Sequence, residues 1–152
     1  MIESHEATGE VQRMAKPRIP PDSTTKRRLA ITQMRRAILL LEEGDFICAL
    51  TLAGAAEEIL GKMVARKRES TAMEDFAVRD RQLWEWASTK EPRLKIPTQA
   101  DFRRGLNRLR NEFKHNEAGK NSRVLGLFEY EAEEMLFRCI RNYLKLYGRT
   151  SS

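Results

Sequence analysis

Leu106-Asn107-Arg108-Leu109-Arg110-Asn111-Glu112-Phe113-Lys114-His115 carries the reading of this chain. With Phe102 just ahead of it, Leu106, Leu109 and Phe113 recur at spacings of four, three and four, a narrow arc on one side of an α-helix and hence a core face. At about 100° per residue, Asn111 and His115 share a second face, Arg110 lies between the two, and Lys114 sits one turn beyond Arg110. Arg110 and His115 are about 140° apart on a straight helix. They converge only if the helix ends or bends near Phe113, or if two copies of the segment meet across a two-fold axis. Asn116 and Gly119 follow, both helix-stopping residues.

Working outward, Thr98 and Asp101 open this helix, and the proline-bounded stretch from Ser88 to Pro97 reads as a loop. Before it, Thr71 with Glu74 forms a capping box for a short accessory helix, with Phe76, Leu83, Trp84 and Ala87 near one face. Nearer the amino terminus, Ala30, Met34, Ala37, Ile38 and Leu41 form a helical stripe that runs out at Glu42-Glu43-Gly44. Asp45 caps the next helix, which turns Phe46, Ala49, Leu50, Ala53, Ala56, Leu60, Met63 and Val64 inward. The short connection makes these two helices an antiparallel hairpin. The small residues Ala53-Gly54-Ala55-Ala56, and Gly61 beyond them, point to close helix approach, by internal packing or at a dimer seam. The final helix runs from about Phe128 to Tyr147, with Phe128, Ala132, Met135, Cys139, Tyr143 and Leu146 as its stripe, acidic first turns, and Gly148 as its stop. Strand-like alternation is absent, so the expected fold is all-α: an up-and-down four-helix bundle with a short accessory helix, spanning residues 25–148. Residues 1–24, with Pro17, Pro20 and Pro21 and no periodicity, are expected to form a flexible arm.

The composition, 33% charged and 41% hydrophobic over 152 residues, describes one helix-prone globular domain. Cys48 and Cys139 both fall within apolar helical patterns, so they read as small buried hydrophobes in a reducing compartment. The longest apolar run, Ala37 to Leu41, falls far short of the roughly 20 residues a membrane span requires. Met1 to Glu10 lacks the layout of a signal peptide, so the expectation is a cytoplasmic protein with no membrane association. Neither a metal nor a cofactor is implied by the residues.

His115 is one of two histidines, and His5 lies in the aperiodic arm. Acid-base chemistry near neutral pH without a metal therefore rests on His115. Between Arg103 and Arg123 stand seven basic residues, Arg103, Arg104, Arg108, Arg110, Lys114, Lys120 and Arg123, against Glu112 and Glu117, a net +5 of the chain's +6. Such a concentration around the candidate acid-base residue suits a phosphodiester ligand; the competing reading is a solvated basic helix face. Arg103, Arg104, Asn107, Lys114 and Lys120 are accordingly the candidate nucleic-acid contacts. Glu57 or Glu58, if turned inward, would orient Arg110 or His115 by a charged hydrogen bond, the outer face being the commoner place for such glutamates. Trp84 and Trp86 could stack on unpaired bases, but packing in a core or interface is the commoner use of such rings.

The cluster Arg110-Asn111-Glu112-Phe113-Lys114-His115 resembles the catalytic motif of the HEPN superfamily of small all-α domains: an arginine, a polar residue after it, and a histidine a few positions on, late in a helix and ahead of a last long helix. The resemblance covers roughly residues 25–148, with this motif as its sharp part. It implies a metal-independent endoribonuclease that acts as a homodimer, two motifs meeting in a cleft, of the kind found in toxin-antitoxin and anti-phage defence systems, with an antitoxin or defence protein as a further partner. It equally admits a catalytically silent relative that binds nucleic acid, nucleotide or protein. On the active reading Arg110, Asn111 and His115 are catalytic: Arg110 binds the scissile phosphate, His115 is general base or acid, and Asn111 holds the geometry. RNA supplies its own 2′-hydroxyl nucleophile, leaving a 2′,3′-cyclic phosphate and a 5′-hydroxyl.

Overall fold

A computed structural model of the protein describes residues 24–114 and 125–148. These residues are all-α, with six helices and no strand among them: α1 (Lys26–Glu42), α2 (Phe46–Arg66), α3 (Ala72–Lys90), α4 (Gln99–Leu106), α5 (Arg108–Lys114) and α6 (Phe128–Tyr147). None of the helices is long and apolar enough to cross a membrane. Apart from residue 24, the expected arm lies outside the described residues.

Local chemistry explains most of the boundaries. Thr25 caps α1 by accepting from the Arg28 N–H, and Asp45 caps α2 by accepting from the Cys48 N–H. Between them Gly44 takes a φ of 79°, a left-handed value that a side chain would oppose, and so lets α1 fold back on α2 in three residues. Thr98 and Asp101 close a full capping box on α4, each side chain bonding the other residue's backbone N–H. The core is a slab between α2 and its two partners, α1 and α6: Ala30, Ala37 and Leu40 from α1, Ala49, Leu50, Ala53, Ala56, Leu60 and Val64 from α2, and Ala132, Met135, Leu136, Cys139 and Leu146 from α6. Leu109 of α5 joins this cluster, which ties the motif segment to the core.

Four expectations are corrected. The accessory helix α3 is not short: it continues for 19 residues to Lys90, so the loop begins at Glu91 rather than Ser88. No helix breaker precedes Pro92, and Glu91 adopts the extended backbone that a following proline demands. Leu83, Trp84 and Trp86 are exposed rather than packed in the core, because only Ala72 and Ala77 of α3 are buried. Cys48 is exposed and only Cys139 is buried, since Cys48 sits in the first turn of α2 one residue ahead of the inward face that starts at Ala49.

The fourth concerns the motif helix itself. Instead of running unbroken to Phe113 it is interrupted at Asn107, between α4 and α5. The cause is Arg138 of α6, whose Nη1 donates to the Leu106 carbonyl at 2.9 Å and whose Nη2 donates to Asn107 Oδ1 at 2.8 Å. In a continuous helix the Leu106 carbonyl would accept from the Arg110 N–H. Past the break α5 restarts on Asn107, whose own carbonyl accepts from the Asn111 N–H at 2.9 Å.

Candidate functional site

The break at Asn107 turns Arg110 against the middle of α2. Its stem crosses the small-residue run: a Cβ added to Gly54 would stand 2.9 Å from Arg110 Cδ and 3.1 Å from its Nε. Gly54 thus makes room for the arginine stem. The Arg110 side chain is only 12% exposed. Its Nη2 donates to Glu58, its Nη1 lies 3.8 Å from Glu57 Oε2, and its Nε, buried, has no hydrogen-bond partner among the described residues.

Glu57 stands between two arginines. Its Oε2 is 3.6 Å from Arg138 Nη2 as well as 3.8 Å from Arg110 Nη1. Arg138 is 1% exposed, and such a buried charge is tolerable only with a counter-charge and hydrogen bonds around it. It has both, since beside Glu57, Leu106 and Asn107 it meets Met135 Sδ at 3.0 Å. Cys139, one residue on, donates to the Ala53 carbonyl at 3.0 Å, and burial followed by the nearby Glu57 charge pushes its thiol far up, so it stays protonated. Asn142, one turn further along α6, is fully buried and accepts from the Ala72 N–H at 2.8 Å, which fixes the start of α3. Glu57, Arg110, Arg138 and Asn107 therefore form one polar cluster bridging α2, α5, α6 and the α4–α5 break. It opens on a cleft of about 240 Å³ whose walls include Glu58, Lys62, Thr71 and Met73.

The candidate residues divide as follows. Arg110 lies at the centre of this cluster. Asn107 is beside it, but its Oδ1 serves Arg138 and its Nδ2 donates to Met73 Sδ at 3.0 Å, so its side chain is engaged inside the subunit. Asn111 is exposed on α5 and away from the cleft lining. Lys114 is the last residue of α5, and His115 and Lys120 lie outside the described residues. Arg103 and Arg104 are exposed on α4, and each is paired: Arg103 with Glu74 at 2.6 Å and Arg104 with Asp101 at 2.5 Å. Arg108 pairs with Glu112 at 2.7 Å and also donates to the Leu125 carbonyl at 3.1 Å. The basic excess counted along residues 103–123 is thus lowered in space by Glu57, Glu58, Glu74 and Asp101, all of which lie outside that window.

Arg138 and Asn142 were not singled out by sequence reasoning. A signal for Asn142 exists in the α6 stripe, where the spacing of Ala132, Met135, Cys139, Asn142 and Leu146 turns it inward with the apolar residues. Arg138 has no comparable signal, since a lone arginine in a helix ordinarily faces water. The sequence matches no protein-family model, no curated protein and no solved structure.

Proposed function

We propose that the protein is a HEPN-like, metal-independent endoribonuclease in which Arg110, Asn111 and His115 act on an RNA phosphodiester, within an up-and-down bundle built on α1, α2, the motif segment α4–α5 and α6, with α3 as the accessory helix. The observation that carries the reading is the anchoring of Arg110: a carboxylate pair from α2, a glycine under its stem and a helix break enforced by Arg138 hold one guanidinium at the edge of a cleft, five residues before the chain's one well-placed histidine. A planar, permanently charged fork held at a cleft edge suits a phosphate whose charge grows during the reaction. Glu58, the more exposed of the two carboxylates, occupies the fork in the manner a phosphate oxygen would and yields it to substrate. His115 takes the 2′-hydroxyl proton or returns one to the 5′-oxygen, and the homodimer completes the cleft. The protein acts in a toxin-antitoxin or anti-phage setting, in the cytoplasm, with an antitoxin or defence protein as its regulator.

One observation favours the silent alternative, a module that binds nucleic acid, nucleotide or protein without cleavage: the charge of Arg110 is already matched within the subunit by Glu57 and Glu58. Incubating purified protein with RNA in EDTA, beside Arg110→Ala and His115→Ala, separates the two. The enzyme reading expects 2′,3′-cyclic phosphate ends from the parent protein, loss in both variants, and DNA left intact. Equal cleavage in all three preparations, or none in any, refutes it.

A further inference from the structure

The same cleft carries a second recognition element that the Arg110 chemistry does not use. Gly61 of α2 and Glu57 are among its walls, and two polar groups converge on the point where a Gly61 side chain would begin: Asn142 Nδ2, from behind the wall, at 3.5 Å and Glu57 Oε1 at 3.8 Å. Asn142 is fully buried, and its Nδ2 has no hydrogen-bond partner among the described residues. Glu57, 5% exposed, accepts no hydrogen bond from any described residue; its two arginines stand at 3.6 and 3.8 Å, both beside Oε2 rather than Oε1. A buried amide donor left without a hydrogen bond is costly unless a ligand supplies one, and the Glu57 carboxylate beside it has acceptor capacity to spare.

Each carboxylate of the cleft already stands beside cations, Glu57 with Arg110 and Arg138 and Glu58 with Arg110 and Lys62, so the cleft does not call for a free cation. It suits a neutral planar group with donors for Glu57, an acceptor for Asn142 and a face for the Met73 thioether. Among the nucleobases, guanine alone places two adjacent N–H donors and a carbonyl oxygen along one edge. Adenine and cytosine offer a single amino donor beside an acceptor, and uracil offers one N–H between two carbonyls. We propose that the cleft over Gly61 is a guanine subsite, with guanine N1–H and its 2-amino group donating to Glu57 and O6 accepting from Asn142 Nδ2. Its placement next to the scissile phosphate rests on the ribonuclease reading, because Arg110 lines the same cleft.

Calorimetric titration of the full chain with guanosine, inosine, adenosine, cytidine and uridine monophosphates tests this. Guanosine monophosphate is expected to bind about tenfold or more tightly than inosine monophosphate, which lacks only the 2-amino donor. The decisive variant is Gly61→Ala. Its Cβ meets neighbours only at ordinary contact distances, so it is expected to fold with an unchanged or higher melting temperature while losing tenfold or more in affinity for guanosine monophosphate. Inosine binding equal to guanosine binding, or a Gly61→Ala protein that binds guanosine monophosphate like the parent, overturns the subsite. RNA cleavage without guanine preference and unaltered in Gly61→Ala overturns the subsite and leaves the nuclease. Selective binding of guanosine monophosphate without cleavage supports the subsite and overturns the nuclease.

Discussion

Replacing Arg138 with methionine tests whether one buried guanidinium sets the shape of the site. The substitution keeps much of the stem volume but removes the donors to the Leu106 carbonyl and Asn107 Oδ1, at 2.9 and 2.8 Å, and takes one of two cations from Glu57. Hydrogen bonds from a charged donor contribute about 1.5–3 kcal/mol each, and breaking a buried ion pair from one side costs about 3–5 kcal/mol. Because the two estimates describe overlapping losses, the expected cost is about 3–5 kcal/mol in all. At about 2–4 °C per kcal/mol for a chain of this size, the melting temperature falls by about 10 °C or somewhat more. Urea unfolding followed by circular dichroism measures the free energy directly. Adding Glu57→Gln to Arg138→Met removes the stranded carboxylate charge, so the double variant is expected to be more stable than the sum of the singles by about 1 kcal/mol or more. A single-variant cost below about 1 kcal/mol, or strict additivity, would refute the claim that Arg138 holds Asn107 and Glu57 together.

Gly54→Ala puts a Cβ 2.9 Å from Arg110 Cδ and forces the arginine off its carboxylates, while alanine contributes about 1 kcal/mol of helix propensity. Stability is therefore expected to fall, the lost ion pairs outweighing the helix gain, and RNA cleavage to fall about tenfold or more; an unchanged cleavage rate would show that the position of Arg110 does not matter. Burial alone would push the Asp75 carboxyl up, but hydrogen bonds from Lys145 and Ser70, with Arg141 nearby, hold it below the ordinary value of 3.8. A carboxyl lowered in the folded state stabilises the fold above the unfolded pKa and loses that contribution as pH falls through the folded one. Urea midpoints collected below pH 4 should fall less steeply for Asp75→Asn than for the parent, and identical slopes would count against the Asp75–Lys145 pair. Of the two thiols, exposed Cys48 is raised by its hydrogen bond with the Asp45 carboxylate and buried Cys139 is raised mainly by burial. Native protein should show one slowly reacting thiol towards a disulfide reagent and two after denaturation; two in the native state would contradict the burial of Cys139.

How much of this was legible beforehand follows the range of the forces involved. The all-α character, the α1–α2 turn at Gly44, the Asp45 and Thr98 caps and the span of α6 are written in residues a few positions apart, because capping and apolar periodicity act within one helix. The end of α3 is not legible because its last residues, Ser88-Thr89-Lys90, are polar and carry no apolar stripe beyond Ala87. Around the cleft, the sequence weighed Glu57 and Glu58 as partners of Arg110, a pairing the structure contains, but the run around Gly54 did not reveal that an arginine stem crosses it.

Tertiary structure alone decided the rest. The break at Asn107 comes from a guanidinium 31 residues later in the chain, and the neutralisation of Arg103 and Arg110 comes from carboxylates on α3 and α2. Asn142 faces Gly61 only because α6 packs on α2. Helix formation is a sum over neighbours along the chain and can be read from it. The pairing of buried charges depends on which side chains the packed helices bring within a few ångströms, and that distance is not written in any one segment.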